Sequence, residues 1–317
     1  MIWLNILIFI ISFFFLVLSS RWIVHSLSRI AKFLGWKEFV VAFLFFAFSA
    51  SLPNLFIGIV SALNKIPQLS LGDVIGGNII DLTILTGMAA LISKAGLSAP
   101  SRTVQNSALY LILLTLLFSF LILDNTLSRA DGFLLLFIFF FYIIWLFFKK
   151  ERFKKIYDSI QEELTLRFFF KNLVIFSLSV FVILISSYGI VQSTKFFSHH
   201  FNLPIWFIAL LVIGWGNAIP ELIFAVECAR SSQDWLILGD LIGSVIITTT
   251  LVLGVVSLIF PIHIENLKAI FISRIFLLIS AFFFLFLLRS GQKITEREGK
   301  ILILLYFLYL IFEIFLK

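Results

Sequence analysis

Charged residues are scarce in this sequence. Asp, Glu, Lys and Arg make up 13% of its 317 residues, whereas an average globular protein has about a quarter. Hydrophobic residues make up 61%, and the mean hydropathy is +1.13. A chain this apolar cannot fold with its surface in water, so a soluble domain and a disordered chain are both excluded. The basic residues, which give a net charge of +7, stand in short connections between apolar runs, and this argues against a nucleic-acid-binding module.

Cysteine is almost absent. The single Cys228 excludes a disulfide framework and a CxxC metal site. The N-terminal segment has no basic start and no clear small-residue cleavage site, so it is interpreted as a first membrane helix rather than a signal peptide.

Long apolar runs dominate instead. Crossing a bilayer takes about 20 residues as a helix, and alternating strand patterns are missing from the sequence. The fold class is therefore expected to be an all-α polytopic membrane protein with ten transmembrane helices. The predicted spans are 2–20, 38–63, 70–93, 103–123, 131–148, 168–191, 203–229, 235–261, 268–288 and 300–316.

One long polar connection, residues 149–167, separates five spans from five. It predicts a first half at 1–148, a basic linker and a second half at 168–317. Assigning the loops alternately to the two sides places eighteen of the 24 Lys and Arg residues together with the linker. The positive-inside rule then predicts a cytoplasmic linker and extracytoplasmic termini, in a plasma or inner membrane.

The two halves resemble each other. Shifted by 167 residues, segment 42–87 overlays 209–254 without a gap, with fifteen identities in 46 positions. These include the pairs Pro53 with Pro220 and Gly72-Asp73 with Gly239-Asp240, which apolar bias does not produce. The copies start five spans apart, so they would enter the membrane from opposite faces. Inverted repeats with Gly/Pro-interrupted helices are typical of secondary transporters, with the substrate site near the midplane.

Each repeat carries polar motifs within its apolar helices: FSASLPN and GDVIGGNIID in the first, GWGNAIPE and GDLIGSVIIT in the second. The prolines free backbone carbonyls, and positions four apart share a helix face, so four polar faces are expected to converge. The predicted ligands are the carboxylates Glu221 and Asp81, the amides Asn54, Asn78 and Asn217, and the hydroxyls Ser51, Ser244 and Thr248. All are oxygen donors, which favours calcium over zinc or copper, and two carboxylates balance one divalent ion.

Two further features have structural interpretations. The repeated glycines, such as Gly72 and Gly76, have the small-residue spacing that lets helices approach closely. Asp73 and Asp240 could line outer vestibules or cap the helices that begin beside them, and capping is the preferred interpretation.

The motifs SLPN with LGDVIGGNIID, and AIPE with LGDLIGSVIIT, resemble the two alpha repeats of the calcium/cation antiporter superfamily, and in particular the prokaryotic sodium/calcium exchangers. The resemblance implies ten helices, inverted repeats at 42–87 and 209–254, and exchange of calcium against sodium or protons, without enzymatic activity or a cofactor. The implied partners are inorganic cations and the lipid bilayer. Glu221 matches the acidic residue that ends the family's G-T-S-x-P-E motif.

The sequence also departs from the family pattern. Asn54 replaces the ligand glutamate of the first repeat, Ala50 replaces its threonine, and Thr248 stands where Asp is frequent. Asp81 supplies an acid on the partner helix, so each repeat keeps one carboxylate. Three functions stay open: a cation antiporter, a degenerate member with a structural or regulatory role, and a passive cation channel.

Overall fold

The computed structural model describes residues 2–33, 38–93, 96–99, 102–148, 166–230, 234–264 and 267–315. Within these ranges most residues are helical. The predicted linker lies outside them except for Leu166 and Arg167, which begin a helix.

The described helices range from 4 to 36 residues in length. They are α1 (Ile2–Phe33), α2 (Glu38–Leu63), α3 (Gln68–Ile80), α4 (Thr86–Ile92), α5 (Arg102–Leu121), α6 (Arg129–Phe148), α7 (Leu166–Phe201), α8 (Ile205–Ile208), α9 (Gly214–Arg230), α10 (Asp234–Ile247), α11 (Leu253–Ile259), α12 (Leu267–Ser290) and α13 (Glu296–Phe315). A 3₁₀ turn at Ile122–Asp124 follows α5. The two-residue strands are β1 (Leu97–Ser98), β2 (Thr126–Leu127), β3 (Ile262–His263) and β4 (Lys293–Ile294).

Three π-helical turns join consecutive helices into single rods. They lie at Asp81–Leu85 between α3 and α4, at Ala209–Ile213 between α8 and α9, and at Thr248–Val252 between α10 and α11. Such turns insert an extra residue into a helix and occur often at functional sites.

Seven helical segments of the described chain are long and apolar enough to cross a membrane. They are Ile2–Leu27, Gln68–Ile92, Val104–Asp124, Leu166–Phe201, Ile205–Arg230, Leu236–Ile259 and Ile270–Ser290. Many large apolar side chains face outwards, including Trp3 and Phe137. A multi-pass membrane protein is the fold that satisfies both observations.

α1 and α7 extend beyond their predicted spans of 2–20 and 168–191. The predictions ended where polar residues such as Arg21 and Gln192 begin. Polar residues do not end a helix outside the hydrocarbon core, because the backbone bonds remain satisfied within the helix. The two helices pack against each other.

The centre of the bundle is formed by the α3–α4 rod and the α10–α11 rod, which are the most buried of the seven apolar segments. Gly72 and Gly76 lie directly against the backbone carbonyls of Trp206 and Leu210, where any side chain would collide. The expected packing role is thus confirmed at these two glycines, and it brings α3 next to the α8–α9 rod.

Local structure recurs at the 167-residue offset. The π turn at Asp81–Leu85 corresponds to the one at Thr248–Val252. α6 begins with a capping box in which the Ser128 backbone N–H and hydroxyl both donate to Asp131 Oδ2, each at 2.7 Å. α13 begins with the equivalent box, in which Thr295 donates to Glu298 Oε2 at 2.7 and 2.8 Å.

Contacts between the halves recur in the same way. A Cβ on Gly87 would lie 2.7 Å from the carbonyl oxygen of Gly299, and a Cβ on Gly254 would lie 3.2 Å from that of Gly132. β1 pairs with β4, and β2 pairs with β3, both antiparallel. Each two-stranded ribbon therefore takes one strand from each half.

Candidate cation-binding site

All eight predicted ligands are buried, each with at most 9% of its surface exposed. They lie on four neighbouring elements around the bundle centre: the C-terminal part of α2, the α3 end with its π turn, α9, and the α10 end with its π turn. The polar faces predicted from the motifs thus belong to packed, central helices.

Asp81 and Glu221 form the core of the site. Their carboxyl groups lie within hydrogen-bonding distance of each other, and Asp81 also contacts Ser244. Ser244 Oγ lies 3.4 Å from Glu221 Oε1, to which it donates. Two carboxyl groups this close hold either a shared proton or a cation between them, because two bare negative charges would repel strongly in a buried site.

Asn78 and Thr248 are bound to each other rather than left free. Thr248 Oγ1 donates to Asn78 Oδ1 at 2.8 Å, and Asn78 Nδ2 donates to Thr249 Oγ1 at 3.0 Å. The pair joins α3 to the π turn after α10, so it braces the two halves beside the carboxyl pair. Thr249 was missed by the sequence analysis, because its equivalent in the first repeat is Leu82 and no symmetric signal marked it.

Asn54 and Ser51 present oxygen atoms without partners. Asn54 Oδ1 and Ser51 Oγ are inaccessible to solvent and have no hydrogen-bond partner among the described residues. A buried oxygen without a donor is costly, so both atoms are suited to a bound cation. Asn54 also lies near α3, whose C-terminal end leads to Asp81. The Asn54 Nδ2 atom is 4.0 Å from the place that a Cβ on Gly77 would occupy.

Asn217 contacts Asp73, an acid that is not among the predicted ligands. Its Nδ2 donates to Asp73 Oδ1 at 2.9 Å, deep in the protein. Capping is therefore the wrong interpretation of Asp73: α3 begins at Gln68, and Asp73 is fully buried within the helix. Asp240 is likewise inside α10 and 6% exposed, well after that helix begins at Asp234.

Four buried acids thus share the centre of the bundle: Asp73, Asp81, Glu221 and Asp240. Asp81 lies within electrostatic range of the other three. Among the described residues no group of three or more His, Cys, Asp or Glu side chains converges on one point. Any one ion would therefore be held by at most two carboxylates, with neutral oxygens as its remaining ligands. Such a set of oxygen ligands suits a hard cation such as calcium.

The surroundings of two equivalent glycines differ. Gly72 is pressed against the Trp206 carbonyl, whereas Gly239 is exposed and no atom of the described residues lies within 4 Å of an added Cβ. The packing role expected for the glycines therefore fails at Gly239, and it fails at Gly77, where the nearest atom is Asn54 Nδ2. The space beside Gly72 is thus filled by protein backbone, whereas the space beside Gly239 is empty of described residues.

Comparisons with known proteins agree with this architecture. The chain is 25% identical to the sodium/calcium exchanger MaX1 of Methanosarcina acetivorans, with 98% of this chain and 99% of that protein covered. Among solved structures, the sodium-calcium exchanger NCX_Mj superposes with a TM-score of 0.64 at 23% identity, covering 98% of both chains. The H⁺/Ca²⁺ exchanger CAX superposes with a TM-score of 0.80 at 17% identity, covering 97% of this chain and 82% of that one.

The sequence model of the family described as sodium/calcium exchanger protein matches twice, at residues 4–148 and 171–315. The two matches start 167 residues apart, the offset at which the motifs and capping boxes recur. Together they cover most of the chain, so the resemblance seen in the motifs is confirmed. The chain belongs to the sodium/calcium exchanger protein family, whose members are secondary transporters and not enzymes.

Proposed function

We propose that this protein is a cation antiporter that exchanges calcium against sodium or protons by alternating access around a midplane site. The observation that carries the proposal is the contact between Asp81 and Glu221, two buried carboxyl groups contributed by opposite halves of the chain. Two carboxylates balance one divalent cation, and the neighbouring Ser244 hydroxyl and Asn54 amide oxygen supply further ligands. Asn78 and Thr248 hold the two halves together beside the ion.

The proposed architecture is ten transmembrane helices in two inverted five-helix repeats, 1–148 and 168–317. The capping boxes, the paired π turns and the mutual glycine contacts recur at the offset of 167 residues and support it. The double match of the family model supports it as well. We place residues 149–167 in the cytoplasm and both termini outside, on the distribution of Lys and Arg.

The relatives are consistent with both driving ions. MaX1 is named a sodium/calcium exchanger, and CAX is named an H⁺/Ca²⁺ exchanger. Asn54 replaces the family's ligand glutamate, and Thr248 stands where Asp is frequent, so we expect this site to hold fewer sodium ions at once than a site that keeps those acids.

The experiment is calcium-45 uptake into proteoliposomes under an outward sodium gradient or a proton gradient. We expect gradient-driven uptake by the unaltered protein and its loss in Glu221→Gln and in Asp81→Asn, because either change leaves one carboxylate to balance a divalent ion. Glu296→Gln is the matched control, since Glu296 is exposed and forms an ion pair with Lys300 on its own helix. Uptake retained by both site variants would remove the proposed site.

A member that keeps the fold without exchange makes a different prediction. In that case no cation would raise the unfolding temperature, whereas a substrate that binds the folded state stabilises it by mass action. Calcium-dependent stabilisation that Glu221→Gln abolishes would exclude this alternative.

A further inference from the structure

One face of α3 and its π turn carries Asp73, Gly77 and Asp81 at intervals of four residues. The two acids are separated by about 12 Å along the helix axis. Both are buried, at 0% and 3% exposure. Gly77 between them contributes no side chain, and the nearest atom to an added Cβ is Asn54 Nδ2 at 4.0 Å. The face therefore offers two separate carboxyl positions with a gap between them.

The geometry at the first of these positions, Asp73, is fixed by a hydrogen bond. Asn217 Nδ2 donates to Asp73 Oδ1 at 2.9 Å, so the amide group is directed at the carboxyl group. The other oxygen of each residue, Asp73 Oδ2 and Asn217 Oδ1, is inaccessible to solvent and has no hydrogen-bond partner among the described residues. Asn217 is itself only 6% exposed. Two buried oxygens on partners held together by a hydrogen bond form a prepared place for a positive ligand.

We propose that Asp73 and Asn217 form a second cation position, distinct from the Asp81–Glu221 pair, which takes a monovalent cation of the sodium class. This inference rests on the proposed antiport function and names where the driving ion binds. One carboxylate balances one positive charge, and the Asn217 amide supplies a neutral oxygen beside it. A divalent ion is better matched by the carboxyl pair nearby.

The position is placed to influence calcium binding. Asp73 and Asp81 interact electrostatically through the protein interior. Asn217 stands one helix turn before Glu221 on α9. A sodium ion at Asp73 reduces the negative potential that attracts calcium to Asp81 and Glu221, so the two ions oppose each other's binding. Mutual opposition between two ions is what an exchanger requires.

The second repeat does not repeat this arrangement. Asp240 corresponds to Asp73, but the position corresponding to Asn217 is Ala50, which has no amide group. The carboxyl–amide pair therefore occurs once, and the position is a property of this chain's asymmetry.

The test uses the purified full-length protein in detergent, with unfolding temperature measured in sodium chloride, in choline chloride at equal ionic strength, and in calcium chloride. The unaltered protein is expected to be stabilised by sodium and by calcium. Asp73→Asn should lower the apparent sodium affinity by at least about tenfold while changing that for calcium by less than about threefold. Glu221→Gln should do the reverse.

The exchanged pair Asp73→Asn with Asn217→Asp keeps one carboxylate and one amide, so it should recover the sodium effect even if the single variant folds poorly. Sodium stabilisation unchanged in Asp73→Asn overturns the inference, and so does an equal loss of both ions' effects in a folded variant. An unaltered protein that sodium does not stabilise also overturns it. That last result leaves the proposed function standing if calcium uptake is proton-driven, whereas a lack of calcium uptake under either gradient refutes the function instead.

Discussion

Gly76 and Gly77 are adjacent in the chain but have opposite surroundings. An added side chain at Gly76 would collide with the backbone carbonyl of Leu210, whereas the nearest atom at Gly77 is 4.0 Å away. Gly77 also corresponds to Ser244, whose hydroxyl contacts the acidic pair. A serine at Gly77 would therefore place a new oxygen in open space beside the site.

We expect Gly77→Ser to bind calcium up to about tenfold more tightly, because one added hydroxyl contact to an ion contributes about 1.4 kcal/mol. Gly76→Ser is the matched control and should be destabilised by about 1–3 kcal/mol through overpacking. Isothermal calcium titration and the unfolding midpoint in detergent measure the two effects. Equal stability losses in both variants would contradict the difference in space.

At this scale the sequence predicted which polar side chains are buried better than how they pair. All eight predicted ligands are buried, because motif symmetry and helix periodicity indicate which faces point inwards. Their role as ligands stays a prediction. The partner of Asn217 was not predictable, since whether its amide reaches Asp73 depends on the rotation of α9 against α3. Asp73 was wrongly interpreted as a cap because the predicted span began at residue 70, whereas α3 begins at Gln68, directly after Pro67.

Among the elements, the capping boxes of α6 and α13 are the clearest pair. In α6, the Ser128 hydroxyl donates to the Asp131 carboxylate and accepts from the Asp131 backbone N–H. In α13, the Thr295 hydroxyl does the same with Glu298. Both boxes follow a two-residue strand, so each fixes the point where a ribbon ends and a long helix begins.

Ser128→Ala and Thr295→Ala should each lower the free energy of unfolding by about 1 kcal/mol, because each removes the cap of one helix. Ser177→Ala is a suitable control. Its hydroxyl lies on the exposed face of α7 and bonds only to the Leu173 carbonyl, so a change within about 0.5 kcal/mol is expected. Unfolding by denaturant in detergent provides the comparison, and a near-zero effect in both cap variants would show that the boxes do not stabilise the helix starts.

The π turns are the elements that sequence reasoning did not find. Nothing in the residues from Asp81 to Leu85 separates a π turn from an α-helix by composition. The bond from Thr86 Oγ1 to the Asp81 carbonyl, at 2.8 Å across five residues, shows how the widened turn is satisfied. The direction of the Asp81 side chain depends on this turn, and the turn depends on packing against neighbouring helices. A local stretch of sequence does not contain that information.

The whole molecule is asymmetric about its own internal repeat. The first repeat is closed at Gly72, and the second is open at Gly239. If the repeats are inverted, as we propose, Gly72 and Gly239 lie on opposite sides of the membrane. The side of Gly239 is the cytoplasmic one if the distribution of basic residues sets the orientation.

In a Cys228→Ala background, Gly239→Cys should react with a membrane-impermeant thiol reagent from the cytoplasmic face only. Ser70→Cys should stay unreactive, because Ser70 is fully buried two residues from Gly72. Labelling of inside-out and right-side-out vesicles measures both. Reaction of Gly239→Cys from the outer face alone would reverse the orientation, and equal reaction of Ser70→Cys would contradict the closed arrangement.

The two small ribbons bear on how this chain is made. β1 finds its partner in β4, and β2 finds its partner in β3, so neither half holds a complete ribbon. During synthesis, the edges of Leu97–Ser98 stay unpaired until the ribosome has translated Lys293–Ile294, nearly 200 residues later. Insertion into the membrane can therefore proceed helix by helix, but closure of the bundle must wait until both halves are present. Segments of the second half therefore complete ribbons that the first half begins.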